Sequence, residues 1–412
     1  MAVSIRILQR VDRALGPIVC TLFQPLRLVR RRTPEHVSRV LVVKFWGLGS
    51  ITLLGPAVRV LRRRFPDARI DLLTLEATAA YARRLGGFDE VIPLAMGETA
   101  WSITRGIARM LLEVRKRRYD RLYDFEFLTY FSAIVARLSR APWTAGYAAP
   151  EVWRGDFFDE VVPFNRYWHV ARNARSLAGG ENGEEVRPED QFRPMPTDAG
   201  RADAERALAD GPVAPDRPIV VVNPNAGQLA LERRWPADNV VSLLNGLLGH
   251  TRASVRVGIA PGDVRVILIG ARDEREYTEG IRLRCVDPDR VDDLAGALSI
   301  DGLLAVLERA AVVVTNDSGP LHLAGALGRP VIAMYGPETP VMYAPLAPAA
   351  TVLYRPPACS PCINVHENKL ASCHYGHPLC LERISPEEVL VATVSALRRG
   401  GHRLTSPAAG PL

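Results

Sequence analysis

The chain begins without a segment able to cross a bilayer: its first apolar stretch is uncharged only from Ala14 to Leu26, short of the ~20 residues a spanning helix needs. No small-residue cleavage site follows that stretch, which argues against a secretory leader. Aromatic residues make up 7% of the composition, and beyond the first 39 residues the charges nearly cancel. That balance removes the basic face and stacking platforms of a general nucleic-acid binder, so no nucleic-acid partner is expected. No repeat of 20 to 50 residues is visible, which excludes a solenoid. A G-x-G-x-x-G fingerprint with an acidic ribose partner ~20 residues on is also missing, which argues against an epimerase-like dinucleotide enzyme.

The 412 residues suffice for two or three domains with real cores. The formal net charge is +7, and the first 39 residues carry eight arginines against Asp12 and Glu35, so six of the seven charges lie there. Apolar clusters (Ile5, Ile7, Leu8, Val11, Leu15, then Ile18, Val19, Leu22, Phe23, Leu26) alternate with those arginines. The pattern suits a helix lying in an anionic membrane interface. An unstructured basic tail, or a helix packed on the chain's own core, fits it as well.

The most informative stretch is Val312 to Pro337, VVVTNDSGPLHLAGALGRPVIAMYGP. A β-branched run (Val312 to Val314) breaks at Thr315-Asn316-Asp317-Ser318, helical spacing follows through Leu321, Leu323, Ala324 and Leu327, and a second strand runs Val331 to Met334. Gly328 stands at a helix C-cap with Pro330 after it, and Asp317 or Ser318 is a natural N-cap with Pro320 in the first turn. Such a strand, turn, helix, strand unit aims unpaired N–H groups at the carboxyl edge of a parallel sheet, where an anion is the expected guest. A crossover with purely structural caps has the same pattern.

Upstream, Val40 to Lys44 enters the loop Phe45-Trp46-Gly47-Leu48-Gly49-Ser50, and Ile51 to Arg64 has helical spacing. Strands are expected at Ile70 to Thr74 and Val91 to Leu94, a basic amphipathic helix at Ile103 to Arg118, and a strand at Arg121 to Phe125 running into Glu126. Gly, Glu, Asp and Pro dominate Leu177 to Pro218, with a helix expected at Ala199 to Ala209. A second half opens with Ile219 to Val222, the turn Asn223-Pro224-Asn225-Ala226-Gly227, Arg233-Arg234-Trp235-Pro236 and a helix at Ala237 to Leu248. The strand Val264 to Ile269 then ends in Gly270-Ala271.

With these residues in view, the chain resembles the ADP-heptose:lipopolysaccharide heptosyltransferases of glycosyltransferase family 9. The GLGS loop, NPNAG…RRWP, IGARDE and above all NDSGPLHLAGALGRPVIAMYGP carry the resemblance, which spans roughly Val40 to Val394. It implies an α/β chain of GT-B fold, two Rossmann-like domains with parallel sheets facing a central cleft, with donor held by the C-terminal domain and acceptor by the N-terminal one. It further implies an inverting, metal-independent transfer of a heptose or related sugar from a nucleotide sugar such as ADP-heptose to a lipopolysaccharide-type or other lipid-linked glycan. Donor contacts fall on Asn225, Gly227, Arg233, Gly270, Asp317, Ser318, Gly319 and His322, and the acceptor-side loop on Lys44, Gly47 and Gly49. Arg233 stands where the family has a phosphate-binding Lys, and Arg adds a planar fork. Asp317 matches an Asp that contacts the donor sugar's hydroxyls. His322 also fits a core histidine.

Ser50 is the departure, because the family has an Asp there as general base and a serine cannot take a proton unaided at neutral pH. Glu126, at a strand's carboxyl end, is the candidate replacement, with Asp124 next; a solvated loop carboxylate is the plainer account of Glu126. A chain that kept the fold and lost the base would be an inactive sugar-nucleotide or glycolipid binder. Retained Asp317, Arg233 and His322 favour the enzyme.

Cys359, Cys362, Cys373 and Cys380 form a C-x2-C…C-x6-C cluster with His366, His374 and His377 among them, while Cys20 and Cys285 stand alone. Four thiolates can close a structural zinc site, and disulfides or free thiols compete with it. The expected organisation is a basic segment over 1–36, an acceptor domain over 37–195, a donor domain over 212–384 with a Cys-rich loop at 358–381, and a capped helix over 385–400 packing back across the domains. A protein so built would work in the cytoplasm, attached peripherally to the inner membrane through its basic first segment.

Overall fold

The computed structural model describes residues 5–28, 32, 34–149, 152–180, 185–209, 216–227, 230–363 and 372–405. They form two compact units, one running through Phe192 and the other starting at Arg193.

Unit 1 opens with α1 (Ile5–Phe23), then β1 (Arg39–Val43), α2 (Leu48–Thr52), α3 (Gly55–Arg64), β2 (Arg69–Leu75), α4 (Glu76–Ala82), β3 (Glu90–Leu94) and α5 (Ala100–Arg117). It continues with β4 (Arg121–Asp124), α6 (Tyr130–Ser139), β5 (Trp143–Ala148), β6 (Glu160–Pro163) and α7 (Val170–Leu177). All six strands are parallel, in the order β3-β2-β1-β4-β5-β6. The central β1 reads RVLVV because helices cover both faces, so apolar residues run on without alternation. The single helix expected over Ile51 to Arg64 is two, broken at Leu53-Leu54: Pro56 has no N–H to give a helix interior, so a new helix starts with it in the first turn. α5 and α6 cover one face, burying Met110, Val114, Val135 and Ala136 against Leu41, Val43, Leu73 and Leu122. α1 is docked on α6. Cys20 packs with Ala133 and Phe157, Gly16 lies flat on the Tyr130 ring, and the Asp12 carboxylate accepts from the N–H groups of Tyr130 (3.1 Å) and Phe131 (2.8 Å). The first segment is thus a helix with one face on the chain's own core. Among the described residues, no helix is long and apolar enough to cross a membrane.

Unit 2 contains α8 (Asp198–Ala209), β7 (Ile219–Asn223), α9 (Ala237–Leu247), α10 (Arg252–Val257), β8 (Arg265–Leu268), α11 (Arg275–Arg282), β9 (Val291–Asp293) and α12 (Ile300–Arg309). It closes with β10 (Val312–Asn316), α13 (Gly319–Ala326), β11 (Val331–Tyr335), α14 (Pro340–Tyr343), β12 (Ala350–Tyr354), α15 (Leu379–Glu382) and α16 (Pro386–Arg399). Its strands are parallel as well, in the order β12-β11-β10-β7-β8-β9. α16 is capped by Ser385, which accepts from the Glu388 N–H. Its apolar side, Val389, Leu390, Val394 and Leu397, is taken up in unit 2's own core with Trp235, Leu243 and Leu244. In both sheets the first strand lies beside the fourth, β1 beside β4 and β7 beside β10. The connections reverse direction there, which opens a crevice at the strands' carboxyl ends.

Candidate active site

In unit 2 the crevice is framed by the loops after β7, β8, β10 and β11. Two asparagines at strand ends stitch it together. Asn223 donates through Nδ2 to Thr315 Oγ1 (3.0 Å), Ser318 Oγ (2.9 Å) and Asn225 O (3.3 Å). Asn316 donates to Pro224 O (2.9 Å) and Asn225 O (3.2 Å) and accepts from Trp235 N (3.2 Å). Arg233, just past the NPNAG turn, is held between the Asp317 carboxylate (3.2 Å) and Ala226 O (2.9 Å). Asp317 and Arg233 meet as a largely buried ion pair at the mouth of the β7/β10 crevice.

Ser318 departs from the expectation that its hydroxyl faces a ligand. It occupies the N-cap position of α13 but makes no capping bond; Oγ turns inward to Asn223 and Thr315. The N–H groups of α13's first turn are consequently left without a side-chain cap, with Gly319 and Pro320 opening the helix. His322 is buried one turn further on. At the helix's other end Gly328 takes φ +74°, the left-handed C-cap read from sequence.

The two site glycines differ. Gly270 is where a backbone must be bare, since a Cβ there would lie 2.6 Å from Asn225 Nδ2, which donates to Ile269 O (3.2 Å). Gly227 instead has φ +69° with open space around it, its N–H given to Glu274 (3.3 Å). Glu274 also accepts from Ala271 N (2.8 Å), tying the β7 and β8 loops together. Asn225 Oδ1 and Arg233 Nε are buried with no hydrogen-bond partner among the described residues, as are Glu232 Oε2 and Arg234 Nε on either side of Arg233. A buried acceptor and a buried donor left open at one crevice mark a place built for a polar guest. Glu338, buried after β11, and Asp317 add their charges to burial in holding the Tyr335 hydroxyl well above its ordinary pKa.

Unit 1's crevice is arranged differently. Glu126 is buried, and its carboxylate accepts from the N–H groups of Phe45 and of Trp46 (3.0 Å), while Lys44 Nζ lies 3.2 Å from Oε2 and over the Phe127 ring. A general base needs a lone pair that meets the acceptor hydroxyl; this carboxylate meets three of the chain's own donors and pins the Gly loop to β4. Asp124 is likewise enclosed, accepting from Glu126 N (3.0 Å), Ser132 Oγ (2.8 Å) and Arg154 Nη1 (3.0 Å). Burial pushes its pKa up, with Arg154 pulling the other way. Gly47 sits at φ +83° ahead of α2, with Gly49 buried in that helix and Ser50 half-buried beside it. Arg154, Asn223, Asn316, Glu274 and Glu338 are not singled out by the motifs. For the asparagines a signal existed, an amide at the end of an apolar strand, whereas Arg154 comes from a distant loop.

The cysteines are all free. Among the described residues no group of three or more Cys, His, Asp or Glu takes a metal-holding arrangement, so the four-cysteine zinc expectation is not met there. Cys380 belongs to the apolar core, which pushes its thiol up to about 11, and Cys373 donates to His377 O. Burial also raises Cys362, with Cys373 and Cys359 close enough to add to the shift. The backbone of Cys362 and Ile363 donates to Pro337 O, clasping the loop after β11. His374 and His377 are exposed; His366 lies outside the described residues.

Compared with known proteins, residues 107–372 match the family model of glycosyltransferase family 9 (heptosyltransferase). The chain is 23% identical over 369 residues to lipopolysaccharide heptosyltransferase 2 of Salmonella typhimurium, covering 88% of this chain and 99% of that protein. Among solved structures it is similar to the Escherichia coli ADP-heptose lipopolysaccharide heptosyltransferase II, with TM-score 0.67 and 21% identity over 88% of this chain and 99% of that one. It is also similar to a family 9 glycosyltransferase from Veillonella parvula, with TM-score 0.69 and 21% identity over 88% and 98%. The α/β architecture with two Rossmann-like units is accordingly the GT-B fold.

Proposed function

Because this chain belongs to glycosyltransferase family 9, the heptosyltransferases, we propose that it moves a heptose or related sugar from a nucleotide sugar such as ADP-heptose to a lipopolysaccharide-type, lipid-linked glycan. The single observation that carries the donor half is the open polar pair, Asn225 Oδ1 and Arg233 Nε, beside the Arg233–Asp317 ion pair. A nucleoside diphosphate leaving an anomeric carbon gathers negative charge, which fixed donors stabilise best when already in place. Arg233 and the uncapped first turn of α13 supply such donors and take the role a metal would otherwise fill, while the acceptor hydroxyl attacks the anomeric carbon on the face opposite the departing diphosphate, which inverts it. Asp317 faces the sugar's hydroxyls, where a carboxylate accepts hydrogen bonds without meeting the phosphates. The Gly47 to Ser50 loop, held rigid by Glu126, receives the acceptor.

The acceptor's lipid places the reaction at the cytoplasmic face of the inner membrane, reached through the basic first segment. A thermal-shift panel of nucleotide sugars tests the donor reading, since a ligand at 100 times its Kd stabilises by ~2.7 kcal/mol. A transfer assay with the donor that binds completes the test. No stabilisation by any nucleotide sugar would overturn the reading, and binding without transfer to any lipid-linked glycan would leave a binding protein of the same fold.

A further inference from the structure

We propose that the outward face of α1 is a ridge that seats unit 1 in the interface of an anionic lipid bilayer. Val11, Leu15, Ile18 and Leu22 are 47, 53, 57 and 71% exposed. At ~100° per residue these four fall within an arc of about 60°. That arc lies opposite Gly16 and Cys20, the residues buried against α6. The helix is therefore apolar on two opposite sides, and only the inner one has a partner within the chain. Such a ridge is costly in water and is not needed to hold α1, which Asp12, Gly16 and Cys20 already dock.

Charge selects the occupant. Arg10 and Arg13 are exposed on α1, about 110° and about 170° round from the centre of the ridge, while the one acid of α1, Asp12, is turned inward as a cap for α6. The described exposed charges of α1 are thus both basic, and they would repel those of a second copy brought close, whereas anionic headgroups complement them. α5, packed beside α6 in the same layer, shows the same combination: Trp101 and Leu112 are exposed among Arg105, Arg109 and Lys116. Aromatic and basic side chains together suit the headgroup region, where rings sit at the boundary and cations reach the phosphates. α1 thus lies along the surface, and because it is fixed to α6 it orients unit 1 instead of tethering it.

The inference rests on the membrane placement proposed above, and flotation of the full chain with vesicles tests it apart from transfer. Vesicles of phosphatidylcholine alone and with a third of phosphatidylglycerol are compared, using the wild type, the ridge variant L15S/I18S/L22S and the single variant L22S. The wild type is expected to float with the anionic vesicles, and the ridge variant to lose at least ~10-fold in lipid partitioning with an unchanged melting temperature. L22S should lose a smaller, measurable part. Flotation indifferent to the ridge substitutions, or equal on neutral vesicles, would overturn the proposal; so would a wild-type dimer that the ridge variant converts to monomer, because a second copy would then cover the ridge. Transfer to a deacylated, water-soluble acceptor without vesicles should be the same for wild type and ridge variant. Failed flotation with transfer intact sinks only the ridge, and flotation without transfer sinks only the sugar-transfer reading.

Discussion

The two crevices are built on the same strand order and at the same switch point, yet their polar groups are used in opposite ways. In unit 1 the carboxylates turn inward: Glu126 is met by two backbone N–H groups and Lys44, and Asp124 by Arg154 and Ser132. In unit 2 the asparagines do that stitching as neutral groups, which leaves Arg233 and Asp317 at the mouth and Asn225 Oδ1 and Arg233 Nε open. The proposed function accounts for the contrast: a crevice that takes a charged nucleotide keeps its charges at the mouth, and one that presents a shaped loop uses them to hold the loop.

Breaking the inward arrangement should have the largest effect. Glu126→Gln leaves Lys44 buried without its counter-charge and should lower stability by ~3 to 5 kcal/mol, read as a fall in the urea midpoint. If Glu126 only shapes the loop, the pH profile of kcat/KM keeps its form and the donor's Kd is unchanged. Loss of the acidic limb of that profile, where activity falls as a base is protonated, would return Glu126 to the role of general base. Next in size, Arg233→Ala in unit 2 should reduce transfer ~10²-fold and abolish donor-induced thermal stabilisation, and because it leaves Asp317 without its counter-charge it should also lower the ligand-free melting temperature, by less than Glu126→Gln since Arg233 is partly open to solvent. An equal loss of ligand-free stability in the two variants would erase the distinction between the crevices.

Much of this was legible in the sequence where chain neighbours decide geometry. The strand, turn, helix, strand order of Val312 to Pro337, the left-handed Gly328 and the glycine-containing loop after β1 all follow from local rules. That Arg233 and Asp317, more than 80 residues apart, form an ion pair was not legible, although the motifs assign both to one family's donor site. What escaped depends on partners that only the fold supplies. Ser318 is placed as a cap by its position, but Asn223, brought alongside by the β7–β10 pairing, draws its hydroxyl inward. Glu126 looks like an open strand-end carboxylate until the Gly loop folds over it. Cys380 is read from spacing as one of a cysteine cluster, and its packing into the core through α15 depends on the fold. The strands β5, β6, β9 and β12 were not legible: Gly146 interrupts the apolar run of β5, and β6, β9 and β12 are edge strands whose partly exposed residues show no continuous apolar run.

The smaller effects separate packing from conformation within unit 2. Gly270→Ala puts a Cβ 2.6 Å from Asn225 Nδ2, so Asn225 must move; a cost of about 2 kcal/mol and a weakened donor affinity are expected together. Gly227→Ala meets no atom within 4 Å but forces an L side chain to φ +69°, which should cost ~1 kcal/mol of stability. Its N–H remains available to Glu274, and the loop keeps its path. Donor affinity by calorimetry should therefore stay within ~3-fold of wild type, the change carried by melting temperature alone. A large loss of affinity in Gly227→Ala, with Gly270→Ala unaffected, would mean that the donor approaches the bare backbone at 227 and that Asn225 is only scaffolding. The open polar pair would then no longer mark the guest's position.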